Sequence, residues 1–217
     1  MPPGKRAMKG INDSKQLSAR QRNELVLLIR ERALAIGIGA ASVREIDRFN
    51  IYQASVLAIR RALARLGLAP DHVVVDGKAI RTLSTAHTAV VHGDARCYSV
   101  ACASIVAKVT RDRVMRALAV RHPGYLWDHN MGYATKSHMH GIGEIGITKH
   151  HRRSFLPVRQ MSLDFAPDLD SPTVTPRADV TSGVVSVETI LDPALLAKLI
   201  DDAPPDASWL ADGDIAS

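Results

Sequence analysis

Two short apolar runs, each leading to an aspartate beside a glycine, constrain this chain more than any other feature. The first is HVVVDG, from His72 to Gly77. Three valines in succession predict a strand buried on both faces, closed by Asp76, with Gly77 allowing a tight exit. The second is AVVHGD, from Ala89 to Asp94. Ala89 to Val91 predicts a short strand that turns at Gly93, presents Asp94 and runs on into a long helix. Strand, acidic turn and helix place a carboxylate at the carboxyl edge of a sheet, where α/β proteins put their sites. If the two strands are neighbours, Asp76 and Asp94 project from the same edge. Carboxylates held together repel unless one protonates or a cation bridges them. A hard divalent cation with oxygen ligands is the natural occupant. One such aspartate alone would read as a turn former; two in succession argue for a site. The link, residues 77–87, is near the lower length limit for a parallel crossover, so spacing leaves an antiparallel pair open.

The helix after Asp94, expected from Ser99 to Arg121, is two-sided. Ala103, Val106, Ala107, Thr110, Val114, Ala117 and Leu118 form an apolar stripe at helical spacing. Ser104, Lys108 and Arg111 form another stripe, whose plainest reading is a solvated face.

Elsewhere the chain punctuates itself clearly. Ser18 and Gln21 form a capping box for a helix to about Arg32, with Leu25, Leu28 and Ile29 inward. Leu34 to Ala40 alternates like an edge strand. Ser42 and Glu45 form a second capping box, and Asn50 is placed to cap a longer helix over 51–66 ending near Gly67. Pro123-Gly124 predicts a turn, and 124–157, rich in Gly and His, predicts short helices and loops.

Charge is unevenly spread. Through residue 160 there are 26 Lys and Arg against 11 Asp and Glu; beyond it there are 2 against 11. A basic body suits a polyanion such as nucleic acid. The tail from Met161 is acidic, holds six of the eleven prolines and is expected to be mostly disordered, apart from a helical turn or two near Asp192 to Leu199. The domain boundary is therefore expected at 160, giving a body of 1–160 and a tail of 161–217. Cys97 and Cys102 fit neither a zinc pair nor a disulfide framework and read as small packing residues in a reducing compartment. No apolar run reaches membrane-spanning length and the first ten residues lack a signal-peptide core, so a cytoplasmic protein is expected.

Seven motifs occur in one order: NDSKQLS (Asn12 to Ser18), EIDRFNIYQAS (Glu45 to Ser55), VVVDG, HGDA, ASIVAKVTRD (Ala103 to Asp112), GYAT (Gly132 to Thr135) and HRRSF (His151 to Phe155). Each alone is weak; together, over roughly residues 9 to 160, they resemble a bacterial ribonuclease HII. The resemblance implies an α/β fold, a ribonuclease H-like mixed sheet with flanking helices. It implies hydrolysis of the RNA strand of RNA–DNA hybrids, including single ribonucleotides embedded in duplex DNA, by two-metal catalysis with Mn²⁺ or Mg²⁺. It also implies four metal-binding carboxylates, two of which match Asp76 and Asp94. By analogy Lys15 and Lys108 contact phosphates, and Tyr133 stacks at the RNA–DNA junction. The plainer alternatives are solvated lysines and a core tyrosine.

The chain departs from the family pattern in one large respect. No Asp-Glu pair and no Gly-Arg-Gly stands before Asn12. The family's first two strands are thus expected to be missing, through a gene start assigned too late or a truncated reading frame. The alternative function is a catalytically dead nucleic-acid-binding remnant. His92 and Met131 also stand where the family often has Lys, which should weaken phosphate contacts modestly. His138, His140, His150 and His151 fit no zinc template, and HHRRSF reads as a basic strip near the nucleic-acid backbone. Finally, Gln160, Leu163 and Phe165 lie in a Gln-x-x-Leu-x-Phe peptide resembling those that dock on the bacterial sliding clamp. Its plainer reading is a last turn packed on the domain.

Overall fold

The computed structural model describes residues 6–156 together with 158 and 159. The boundary at 160, the acidic tail and the Gln160, Leu163 and Phe165 peptide lie outside the described residues. Eight elements follow in order: α1 (Ala19–Arg32), α2 (Val43–Ala64), β1 (Val73–Asp76), β2 (His87–Val90), α3 (Gly93–Arg96), α4 (Tyr98–Arg121), α5 (Trp127–Asn130) and α6 (Lys136–Ile145).

Helix starts follow the sequence closely. Ser18 and Gln21 exchange their capping hydrogen bonds at the head of α1, at 2.9 and 3.2 Å. Ser42 and Glu45 do the same for α2. Asn50 adopts φ 67°, ψ 166° inside α2, so two helices meet there, and its side chain accepts from the Gln53 amide at 3.1 Å. That is the expected second cap, and the chain kinks there.

β1 and β2 pair in parallel, with Val73 opposite His87 and Asp76 opposite Val90. The short link therefore does make a parallel crossover. Among the described residues the sheet has only these two strands. Val74 is 36% exposed, so β1 is not buried on both faces as its three valines predicted. A strand with one neighbour and partial cover has nothing to bury its second face.

Leu34 to Ala40 is extended but is not a strand among the described residues. It lies along α2 instead of pairing. A Cβ on Gly37 or Gly39 would run into the backbone carbonyl of Ala62 or Ala58, so glycine permits this close approach. Arg61 donates to the Ala40 carbonyl at 2.7 Å and Arg65 to that of Ile38 at 3.2 Å, taking the place of ladder partners. The alternation predicted an edge strand; burial does not alternate along 34–40, and Leu34 is exposed.

α4 is the spine and packs against α1, α3, α5 and β1. One core joins Leu25, Val26 and Ile29 of α1 to Ile105 and Val109 of α4. A second joins Val114, Met115 and Leu118 to Tyr125, Trp127 and Ile142. Leu28 is exposed at 41%, and Val26 takes the inward place expected for it. The polar stripe of α4 is not a solvated face: Ser104 and Arg111 are buried and Lys108 is half-buried, whereas Ala103 of the apolar stripe is exposed. A helix covered on several sides has little solvated face left for periodicity to reveal.

Candidate active site

The parallel pairing brings the two acid-bearing turns together at one sheet edge. Asp76 closes β1, and its Oδ1 accepts a hydrogen bond from the Gly93 amide at 2.7 Å. This bond ties the carboxyl end of β1 to the start of α3. His92, just before, is left-handed at φ 54°, a strained conformation for a residue with a Cβ. A Cβ on Gly93 would sit 3.2 Å from both Asp76 Oδ1 and Val100 Cγ1, tight enough to press on the bond. Glycine lets the turn pass close to the carboxylate.

Asp94, on α3, is buried. Burial pushes its acid above the usual carboxylate range; the charges of Asp13 and Asp76 push the same way, and Lys15 opposes them. Asp13, Asp76 and Lys15 therefore all act on this one carboxylate. Asp13 was not singled out from the sequence. Its own Oδ1 accepts from the Lys15 amide at 2.9 Å, folding the NDSK turn.

The NDSK turn is tied to α4 by buried polar groups. Ser14 Oγ and Ser104 Oγ lie 2.7 Å apart. Arg22 donates to the Ser14 carbonyl at 2.9 Å and approaches Asp112 at 3.7 Å. Asp112 in turn holds Lys108, whose Nζ is 2.6 Å from Oδ1. Lys15 itself is exposed. Tyr133 is 57% exposed, so it is not a core tyrosine. Its ring lies under two cations, the Arg111 guanidinium 4.8 Å and Lys108 Nζ 5.7 Å from the ring centre. Lys108 and Tyr133, expected separately from two motifs, thus form one surface.

The model of the family described as Ribonuclease HII matches residues 5–158. The Ribonuclease HII of Gluconobacter oxydans is 52% identical over 162 residues, 74% of this chain and 78% of that protein. That of Jannaschia sp. is 50% identical over 153 residues, 70% of this chain and 76% of that protein. This chain belongs to the ribonuclease HII family. The fold is also similar to that of the ribonuclease H2 from Pyrococcus horikoshii OT3, with a TM-score of 0.59 over 72% of this chain and 82% of that one, at 22% identity.

For a ribonuclease HII the donor set at the sheet edge has the right chemistry: hard oxygens, mutually repelling, with Asp94 held where its charge is unfavourable. It is not a complete cage. Among the described residues no group of three or more His, Cys, Asp or Glu is arranged to hold a metal ion. The histidines have other partners. His138 and His151 are buried against Tyr125 and Trp127, so His151 does not belong to a basic strip; of the motif's two arginines Arg152 is half-buried and Arg153 exposed. Sequence reasoning missed Ser14, Arg22 and Asp112 because a buried ionic network and a solvated face use the same residue types. The signal that could have found Asp112 is its place four residues after Lys108 in ASIVAKVTRD.

Proposed function

We propose that this chain is an endonuclease that hydrolyses the RNA strand of RNA–DNA hybrids, including single ribonucleotides embedded in duplex DNA, and that it works in the cytoplasm. The observation that carries the reading is the pairing of Asp94, buried, with Asp76 at one sheet edge in a chain of this family. Asp76 and Asp94 are the two oxygen-donor residues on hand for Mg²⁺ or Mn²⁺. Such a cation, when bound, supplies water activation and relief of charge on the leaving oxygen.

The protein's own residues do the rest. The Gly93 amide orients Asp76. Lys15 and Lys108 meet phosphates, which positions a duplex without reading its sequence. Tyr133 offers an exposed ring to the sugar at the junction, where a 2′-hydroxyl distinguishes RNA from DNA. The Gln160, Leu163 and Phe165 peptide docks on the sliding clamp and keeps the enzyme on replicated DNA.

The alternative reading is binding without cleavage. Both readings are tested on a duplex with one ribonucleotide, assayed in Mg²⁺ and in Mn²⁺. Polypeptide 1–217 is expected to bind it and cleave little. A fusion supplying the family's Asp-Glu and Gly-Arg-Gly segment ahead of residue 1 is expected to cleave it. A fusion that binds without cutting would leave only the binding reading.

A further inference from the structure

We infer that His138 is a positioning residue: a chain of neutral imidazoles, from Thr148 through His151 and His138, fixes the backbone carbonyl of Tyr133 and so holds its exposed ring in place. The functional meaning of that ring rests on the reading above; the chain of bonds does not.

The proton positions follow from the partners. Trp127 Nε1, which can only donate, is 3.0 Å from His138 Nε2. That nitrogen must therefore accept. His138 Nδ1 lies 2.9 Å from the Tyr133 carbonyl, which can only accept. That nitrogen must therefore carry the proton. Two independent contacts thus select one tautomer, and a second ring proton would face the indole N–H directly. The Thr148 amide donates to His151 Nδ1 at 2.9 Å, leaving Nε2–H of His151 to donate to His138 Nε2 at 3.3 Å. One lone pair of His138 is shared by two donors, which accounts for the longer second bond. Burial lowers the basicity of both rings, in accord with their neutrality.

The end of the chain falls where it matters. The Tyr133 carbonyl also accepts from the Thr135 amide at 2.8 Å, and the Tyr133 amide donates to the Asn130 carbonyl at 2.9 Å. An exposed side chain thus stands on a backbone bonded at both polar groups. A freely moving loop would lose part of any stacking contact to ordering entropy; this one is ordered beforehand by the buried cluster beneath it.

Two substitutions separate positioning from packing. His138→Asn puts an amide nitrogen near the Nδ1 place and can still donate to the Tyr133 carbonyl. His138→Gln puts a polar atom near the Nε2 place, keeps a partner for Trp127 and loses that donor. Imidazole nitrogen spectra of the full chain at neutral pH should show His138 protonated at Nδ1 and His151 at Nε2. Amide hydrogen exchange over 132–135 should quicken about tenfold in His138→Gln, the loss of one net hydrogen bond, and stay near the parent rate in His138→Asn. The inference is overturned by the opposite tautomer in the unmodified protein, a result that requires no variant to fold. It is also overturned if exchange over 132–135 is unchanged in His138→Gln, or quickens equally in both variants. Cleavage of an RNA–DNA hybrid is scored separately. Its absence in the fusion carrying the Asp-Glu and Gly-Arg-Gly segment removes the catalytic reading of Tyr133 and leaves the tautomer and exchange results to decide this one.

Discussion

At the sheet edge, Asp94 is buried among charges of its own sign. Beneath Tyr133, His138 and His151 are as deeply buried, and each of their ring nitrogens has a partner. The two regions bury ionisable groups with opposite electrostatic outcomes. At Asp94 burial and two like charges outweigh the opposing Lys15; the histidines give up their charge and become packing. A centre meant to receive a cation has to be left unsatisfied, whereas the support beneath a recognition residue has to be complete.

The sharpest way to break this contrast is at Asp94. In the four-carboxylate fusion, Asp94→Asn should lower cleavage of a lone-ribonucleotide duplex by roughly 10²-fold or more, the scale of removing a group that stabilises transition-state charge. It should leave duplex binding nearly unchanged, because the basic surface is intact. The folded-state acid is raised, so at neutral pH the ionised group opposes folding. Thermal melting of Asp94→Asn in the absence of divalent cations should therefore hold or rise. Asp76→Asn should suppress cleavage as strongly, but without the gain in melting temperature, since its Oδ1 keeps the bond from Gly93. Near-normal turnover in Mg²⁺ for either variant would remove it from the ligand set.

The second expected effect is on stability against pH. His151 is lowered from an ordinary 6.5 to about 4, chiefly by burial and then by the neighbouring His138 and His150. Below pH 6.5 the unfolded chain takes up a proton that the folded cluster refuses. Stability contributed by neutral burial is thus present above pH 6.5 and lost as pH falls towards 4, by up to about 3 kcal/mol. Asp94 contributes with the opposite slope, since its raised acid favours folding at low pH. Chemical denaturation across pH 4–7 should show the histidine loss, and His151→Gln should flatten it. A slope that survives that substitution would assign the loss to other groups.

A smaller effect is expected at the recognition surface. In the fusion, Tyr133→Ala should reduce cleavage at a lone ribonucleotide about tenfold, the scale of one stacking contact, with less effect on binding, which the proposed reading assigns to Lys15 and Lys108. Tyr133→Phe should retain activity if the ring is what matters and lose it if the hydroxyl is required. Because the ring is exposed, neither substitution should move the melting temperature much.

The contrast was only half legible in the sequence. The acid-tipped strands, both capping boxes and the cap at Asn50 could be read because they depend on local spacing. The parallel sense of β1 and β2 could not, since the link between them suits either direction. Leu34 to Ala40 showed alternation but not its partner, which proved to be α2. The polar stripe of α4 showed residue types but not burial. The histidines were the least legible. His138 and His151 look like surface bases until Trp127 and Tyr125, well upstream in sequence, are folded against them. Local patterns survive translation into structure; neutralisation of a charge depends on neighbours that sequence order does not rank.

The smallest effect tests whether the histidine cluster is self-contained. Asp47, on α2, accepts from the Arg153 amide at 3.1 Å, the Ser154 amide at 3.0 Å and the Ser154 hydroxyl at 2.6 Å. It pins the HRRSF segment just beyond His151, more than a hundred residues away in sequence. These bonds are at the surface, so Asp47→Ala should cost only about 1 kcal/mol. Amide exchange at Arg153 and Ser154 should quicken, and Asp47→Asn, which keeps an acceptor oxygen, should recover most of the loss. The ring-nitrogen signals of His138 and His151 should not move, because Thr148, Trp127 and Tyr133 hold those rings from the other side. If they do move, the support beneath Tyr133 extends through the HRRSF segment to α2, and the boundary drawn between the two regions lies in the wrong place.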